Sequence, residues 1–207
     1  MTLRLFCTPG TAVSAVAIAP EEAERPYDTV LVNFARGQQA GAAYARINPK
    51  GRVPALATDN GVLTEATAIL EFVADTNPAA LLRPESPLAM ARMREAMSDL
   101  ASTVHVNHDH KKRGRRWADH PGSLEDMTAM VPQTMAASAA HLQAHCLHGP
   151  DVLGSNFSLA DIHLFVICTW LERDSPRVGE FPALAAFMAR METRASVAAV
   201  RAAGLLL

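Results

Sequence analysis

The sequence predicts an α/β domain followed by an all-helical bundle domain, and three observations lead to that prediction. Strand-like and helix-like segments alternate up to about residue 77. The segment 79–86 contains Pro84 and is typical of a linker. Every periodic segment after Pro87 has the spacing of a helix. We therefore expect domains at residues 1–78 and 87–207, with a linker at residues 79–86.

The first domain is predicted in the order βαβ-ββα. A strand, a helix and a second strand indicate a parallel pair with a right-handed crossover; they cover residues 3–6, 12–23 and 27–34. The turn sequence Asp59-Asn60-Gly61 predicts a hairpin between two short strands. A helix is expected from residue 65 to about 77, capped by Thr64 and ended by Pro78.

The second domain is predicted to contain several helices. A methionine-rich apolar stripe indicates one long helix whose methionines pack in a core; it consists of Met90, Met93, Met97, Leu100 and Val104. A further helix is expected over residues 124–148, and Pro132 should kink it or mark its true start. Ser158 and Asp161 have the spacing of a capping box before a buried helix at residues 162–171. Two short helices close the chain.

Composition and charge exclude several classes of protein. The chain has 207 residues and a net charge of −2, which gives no general attraction to nucleic acid or to an anionic membrane. No stretch approaches the roughly 18 apolar residues of a membrane span, and the first residues leave no room for a signal peptide. Three widely spaced cysteines, Cys7, Cys146 and Cys168, are typical of a reduced cytoplasmic protein.

The most informative stretch is Asn48-Pro49-Lys50-Gly51-Arg52-Val53-Pro54, together with the hairpin and the acidic helix start behind it. This order places a backbone edge beside a helix N-terminus, a corner that can hold a small extended peptide with a carboxylate. The pattern resembles the glutathione S-transferases, and among them the bacterial beta class. Residues 63–69 form that helix start, and three further stretches fit the resemblance, at residues 8–10, 101–105 and 157–165.

The resemblance implies a thioredoxin-like fold for the first domain, with glutathione as co-substrate and no metal. It implies a cytoplasmic homodimer that adds the glutathione thiolate to a small apolar electrophile. One alternative is a protein on the same scaffold that binds glutathione or a hydrophobic ligand with little turnover. A helical protein-interaction module is a third alternative, and the intact Val53-Pro54 and Glu65 argue against it.

The resemblance also implies which residues would bind glutathione. Val53 would pair with the peptide backbone before a cis Pro54; without the resemblance, an ordinary trans proline at an edge strand would be favoured. Glu65 would meet the α-ammonium group, and the Ala66 N–H would meet the α-carboxylate. Arg36 would meet the glycyl carboxylate or lie in a solvated loop. Two weaker candidates complete the set: Lys50, which flanks the loop, and Ser98, which would reach the other subunit's ligand.

The sequence departs from the beta class at the position of its cysteine, which is Ala12 here. Three other side chains could assist the thiol. Thr11 has a hydroxyl at the N-terminus of the first predicted helix, and His105 matches a beta-class histidine. Cys7 either contacts the sulfur or is a buried small hydrophobe, and the buried alternative is favoured.

The histidine spacing after His105 suits no common metal pattern, so no metal is expected at His108 and His110. The basic run at residues 111–116 is typical of a solvated helix end, and contact with an anion or with the substrate is its alternative function. The sequence does not name the electrophile.

Overall fold

The computed structural model describes residues 2–207, so Met1 of the predicted first domain lies outside the described residues. The chain divides into two compact units, the first of residues 2–83 and 192–207 and the second of residues 84–191. The first unit contains four strands and, before the linker region, three α-helices: β1 Arg4–Cys7, α1 Val13–Glu22, β2 Asp28–Leu31, α2 Ala42–Ala45, β3 Ala55–Thr58, β4 Gly61–Thr64 and α3 Ala66–Thr76.

The sheet has the strand order β2-β1-β3-β4. β1 pairs in parallel with β2, and β3 is antiparallel to both β1 and β4. The predicted order βαβ-ββα is therefore confirmed as a thioredoxin-like arrangement. In β1, Leu5 and Cys7 point into the core, where they are 0% and 2% exposed. The hairpin turns at Gly61, whose φ of 129° requires glycine, and Thr58 Oγ1 donates to its carbonyl.

α1 is the central helix of the first unit. Its residues from Val13 to Pro20 are all buried, because α3 and a C-terminal helix both pack against it. That helix is α9, Ala195–Ala202. Arg194 holds it to α1 by a bidentate ion pair with Glu22, at 2.6 and 2.7 Å. The sequence predicts residues 192–207 in the helical domain; in the structure they pack with the first unit, because α9 covers the apolar face of α1.

The second unit is helical throughout its regular segments, as predicted. Its α-helices are α4 Pro87–Asp99, α5 His105–Arg113, α6 Pro121–His141, α7 Leu159–Cys168 and α8 Pro182–Glu192, which ends just beyond the unit. A π-helical stretch, Leu100–Val104, joins α4 to α5, so the methionine-rich helix is continuous through the predicted stripe. Met93, Met97, Leu100 and Val104 are at most 1% exposed, which confirms their role in the core.

Two predicted helix starts are wrong. Thr64 does not cap α3: the N-cap residue is Glu65, whose φ of 72° turns the chain before the helix begins. α6 begins at Pro121 rather than near residue 124, since a proline has no N–H to leave unpaired at a first helical position. Pro132 lies inside α6.

The capping box before α7 is confirmed. Asp161 accepts hydrogen bonds from the Ser158 backbone N–H and hydroxyl at 2.8 and 3.0 Å. Its other carboxylate oxygen accepts from the Val152 N–H at 2.8 Å. Every residue of α7 is buried, so these contacts fix the start of a core helix. Within residues 2–207, no helix has both the length and the apolar character that crossing a membrane requires.

Candidate glutathione site

The peptide bond between Val53 and Pro54 is cis, as predicted. Two side-chain hydrogen bonds to the Arg52 carbonyl fix the loop that precedes this bond. Asn48 is 1% exposed, and its Nδ2 donates to the Arg52 carbonyl at 2.7 Å. The Tyr44 hydroxyl donates to the same carbonyl at 2.8 Å. Two donors on one carbonyl fix the residue that precedes Val53.

The Val53 backbone is available to a ligand. Among residues 2–207, neither its N–H nor its C=O has a hydrogen-bond partner. Val53 is half-buried and lies two residues before β3, ahead of the first residue that pairs with a neighbouring strand, so both of its backbone groups stay free. An extended peptide could pair with both groups in the manner of an added strand.

Glu65 has a strained backbone at the start of α3. Its φ of 72° and ψ of 123° lie in a region that non-glycine residues rarely adopt. Such strain costs on the order of 1–3 kcal/mol and is concentrated at functional sites. The consequence here is geometric: the Glu65 side chain stays 59% exposed, and Ala66 begins the helix with an N–H unpaired among the described residues.

Lys50 is the charged partner of Glu65. Its ammonium group donates to Glu65 Oε1, and both side chains are substantially exposed. An exposed pair of this kind contributes about 0–1 kcal/mol, so a ligand ammonium can displace Lys50 at small cost. The structure therefore brings Lys50 and Glu65 together beside the helix start.

Arg36 lies at the end of a short 3₁₀ turn, Phe34–Arg36, and is exposed. Its backbone N–H donates to Asn33 Oδ1 at 3.1 Å. In the described part of the chain, no carboxylate forms an ion pair with its guanidinium group. The side chain is thus free to meet an anionic group.

The turn between β1 and α1 contains two of the predicted thiol-assisting residues. The Thr11 hydroxyl donates to the Thr8 carbonyl at 2.7 Å, so its proton is already used within the turn. Cys7 Sγ lies 3.5 Å from the Val30 carbonyl, and burial raises the pKa of this thiol. Cys7 is therefore a neutral, buried side chain near pH 7, which agrees with the favoured alternative. Ala12 is 5% exposed and offers no side-chain donor.

His105 is the third of these residues, and it lies in the second unit. Its ring meets Trp170 edge-on, with centroids 4.9 Å apart, and its Nε2 is 3.7 Å from Asp109 Oδ1. Burial lowers the pKa of His105 to about 4, although the Asp109 carboxylate acts in the opposite direction. With this pKa the imidazole is neutral near pH 7, and a neutral ring can still donate one N–H.

Three side chains of the basic run at residues 111–116 form ion pairs with two buried carboxylates. Lys111 reaches Asp174, whose side chain is fully buried, and Arg113 and Arg116 both donate to Asp109. This part of the run therefore anchors the helical unit.

Ser98 is exposed on α4. Over the described residues, no cluster of three or more potential metal ligands forms.

Sequence reasoning missed Trp170 and His163. Trp170 packs between His105 and His108, with its ring stacked 4.5 Å from His108. His163 is 1% exposed, and burial lowers its pKa to about 3. Its place inside an otherwise apolar helix was the available signal, because a histidine there must be buried neutral.

The fold defines a class: a thioredoxin-like unit, in which the Val53 backbone is unpaired among residues 2–207, and a helical unit. Family models agree with this class. The model "Glutathione S-transferase, N-terminal domain" matches residues 1–75, and "Glutathione S-transferase, C-terminal domain" matches residues 149–195. The chain therefore belongs to the glutathione S-transferase family, as its sequence predicts.

Individual relatives extend the likeness over nearly the whole chain. A glutathione transferase homologue from Sulfitobacter, solved with bound glutathione, is 52% identical with a TM-score of 0.98 and 99% of each chain covered. The beta-class enzyme of Sphingomonas chungbukensis is 30% identical, with a TM-score of 0.85 over 97% of this chain and 98% of that one. Glutathione S-transferase GstA of Escherichia coli O157:H7 is 28% identical and covers 94% of this chain and 95% of its own.

Proposed function

We propose that this protein is a glutathione S-transferase that conjugates the glutathione thiolate to small hydrophobic electrophiles. One observation carries the proposal: the unpaired Val53 backbone lies in the same unit as α3, whose N-cap is Glu65 and whose first residue is Ala66. Glutathione is an extended peptide with an ammonium group and two carboxylates, and this corner offers a partner for each kind of group.

Each proposed contact with glutathione uses a group of the first unit. The cysteinyl backbone pairs with the N–H and C=O of Val53. The Glu65 carboxylate receives the γ-glutamyl ammonium group and releases Lys50, which then lies beside the anionic ligand. The Ala66 N–H, at the positive end of α3, receives the α-carboxylate. Arg36 is the proposed partner of the glycyl carboxylate, because a guanidinium can donate two parallel hydrogen bonds to it.

Activation of the thiol is proposed to depend mainly on the backbone. A free thiol has a pKa near 8.5, so donors that face the sulfur are needed to supply a thiolate near pH 7. Ala12 supplies none from its side chain. In the first unit the remaining donors are the N–H groups of Thr11 and Ala12, which have no partner among residues 2–207, and the Thr11 hydroxyl if it leaves the Thr8 carbonyl. The family resemblance adds His105 as a neutral donor. We therefore expect slower turnover than a fuller set of side-chain donors would give.

The second candidate function is a carrier that binds glutathione or a hydrophobic ligand without efficient turnover. Ala12 is the specific observation that favours it, since its methyl group can neither stabilise a thiolate nor form a mixed disulfide. Both candidates share the proposed glutathione site and a proposed location in the cytoplasm, where thiols stay reduced.

We further propose a homodimer with twofold symmetry, to which the methionine-rich helix and the exposed Ser98 contribute. Light scattering at micromolar concentration tests this. A mass of twice the 22.2 kDa chain supports the proposal, and a monomer contradicts it.

One pair of measurements separates the candidate functions. Calorimetry reports glutathione binding, and a chlorinated aromatic test electrophile reports turnover. Binding with turnover above the uncatalysed rate supports the transferase, and binding without turnover supports the carrier. Absence of both supports a helical interaction module and rejects the proposed site.

A further inference from the structure

The turn between β1 and α1 is tied to the C-terminal segment by a single carbonyl group. The Leu205 carbonyl accepts a hydrogen bond from the Gly10 N–H at 3.0 Å and another from the Ser14 hydroxyl at 2.8 Å. Ser14 is 1% exposed and Leu205 is 5% exposed, so both bonds are sheltered from water. Gly10 and Ser14 stand on either side of residues 11–13, so the carbonyl bridges the two ends of that turn.

The Ser14 contact is unusual for a serine in the first turn of a helix. A helical serine ordinarily bonds to a carbonyl three or four residues earlier, or to water. Here its hydroxyl bonds to a carbonyl 191 residues away. Leu205 is itself fixed, because its N–H donates to the Val200 carbonyl at 3.1 Å and Leu206 is buried beside it.

The residues between these two bonds are those that the proposed function needs. The backbone N–H groups of Thr11 and Ala12 have no hydrogen-bond partner among residues 2–207. In a chain whose Ala12 side chain cannot donate, the direction of these N–H groups decides how strongly they stabilise a thiolate. Hydrogen bonds of this kind depend steeply on angle, so a small rotation of the turn weakens them.

We propose that Ser14 is a positioning residue for thiol activation and that it acts through the Leu205 carbonyl. The pair of bonds to this carbonyl holds the turn before α1 so that the free N–H groups of Thr11 and Ala12 point at the glutathione sulfur. The proposal rests on the proposed transferase function. It adds that the C-terminal segment, distant in sequence, sets the pKa of the bound thiol.

The chain offers a matched control at the other end of α1. Ser196 is also buried, at 7% exposure, and its hydroxyl donates to Glu22. Ser14→Ala and Ser196→Ala each remove one buried hydroxyl that joins α1 to the C-terminal segment. Only Ser14→Ala touches the turn, so the two variants separate a positioning role from general loss of packing.

The test is the ultraviolet titration of the bound glutathione thiol in the full-length protein. Ser14→Ala should raise the pKa of that thiol by about half a unit, a roughly threefold lower ratio of thiolate to thiol, and should lower kcat to a similar extent. Its affinity for S-methylglutathione, which has no titrating thiol, should stay within twofold. Ser196→Ala should leave the thiol pKa unchanged.

A second variant covers the case in which Ser14→Ala does not fold. Gly204 has a φ of 73°, and a Cβ there would meet no atom within 4 Å. Gly204→Ala therefore perturbs the backbone before Leu205 without a clash, and it should raise the thiol pKa in the same direction. The proposal is overturned if neither variant moves the thiol pKa, or if Ser196→Ala moves it equally. Wild-type protein that binds no glutathione would reject the proposed function itself, and this inference with it.

Discussion

Glu65 combines an exposed carboxylate with a strained backbone, so two substitutions at this one position separate binding from stability. Glu65→Ala removes the carboxylate and keeps the strain. Glu65→Gly removes the carboxylate and also relieves the φ of 72°, because glycine adopts positive φ readily. We expect both variants to fold, since the Glu65 side chain is 59% exposed and its only charged partner in the described chain is the exposed Lys50.

The magnitudes follow from these contacts. Loss of a charge-assisted hydrogen bond to the ligand ammonium group should cost about 1.5–3 kcal/mol, or roughly ten- to a hundredfold in glutathione affinity, in both variants. Loss of the exposed pair with Lys50 should change the stability by less than about 1 kcal/mol. Relief of backbone strain should make the glycine variant about 1 kcal/mol more stable than the alanine variant.

Calorimetry with glutathione and urea denaturation of the ligand-free protein measure the two quantities separately. Glu65→Gln is the control, because it keeps the size of the side chain and removes only the charge. An alanine variant whose affinity stays within twofold of wild type would refute the proposed site. An alanine variant as stable as the glycine variant would refute the strain argument.

Three further predictions concern other parts of the chain. Ala12→Cys and Ala12→Ser should raise the thiolate fraction of bound glutathione, and Thr11→Ala should lower it. The ultraviolet titration of the bound thiol measures this fraction. If Cys7→Ala changes the fraction and Thr11→Ala does not, the assignment of Cys7 as buried and neutral is contradicted. Asp161→Ala should lower the free energy of unfolding by about 3 kcal/mol or more, because three buried donors lose their acceptor; a loss below about 1 kcal/mol by urea denaturation would contradict it. His163 is neutral when folded, with its pKa lowered to about 3 from 6.5, so below pH 6.5 the unfolded chain binds a proton that the folded chain does not. Stability should therefore fall from pH 6.5 towards pH 3, by up to about 1.4 kcal/mol per pH unit for this group, and His163→Leu should flatten that slope.

Local patterns in the sequence were sufficient for most of the fold. The alternation of strands and helices, the hairpin turn and the capping box at Ser158 and Asp161 each depend on residues close together in the chain. The cis Val53-Pro54 bond was predicted through the family resemblance, since the residues alone favoured a trans proline. The start of α3 was predicted one residue early, because the strained backbone of Glu65 has no signature in its side-chain type.

What the sequence could not provide are contacts between distant residues. Ser14 and Leu205 are 191 positions apart, and neither residue type suggests the other. The packing of α9 on α1 could not be predicted either, because an amphipathic pattern shows that one face of a helix is buried but not which element covers it. The neutral state of His105 depends on Trp170 and the surrounding helices, which bury the ring, so it too required the structure.

The central claim is that glutathione binds at the unpaired Val53 backbone and the acidic start of α3, and one calorimetric comparison tests it most directly. Wild type and Glu65→Gln are each titrated with glutathione and with cysteinylglycine, which lacks the γ-glutamyl group. We predict saturable glutathione binding to wild type that weakens at least tenfold in Glu65→Gln, while the weak binding of cysteinylglycine is the same in both proteins. Equal losses for the two ligands, or no binding of glutathione to wild type, would contradict the claim.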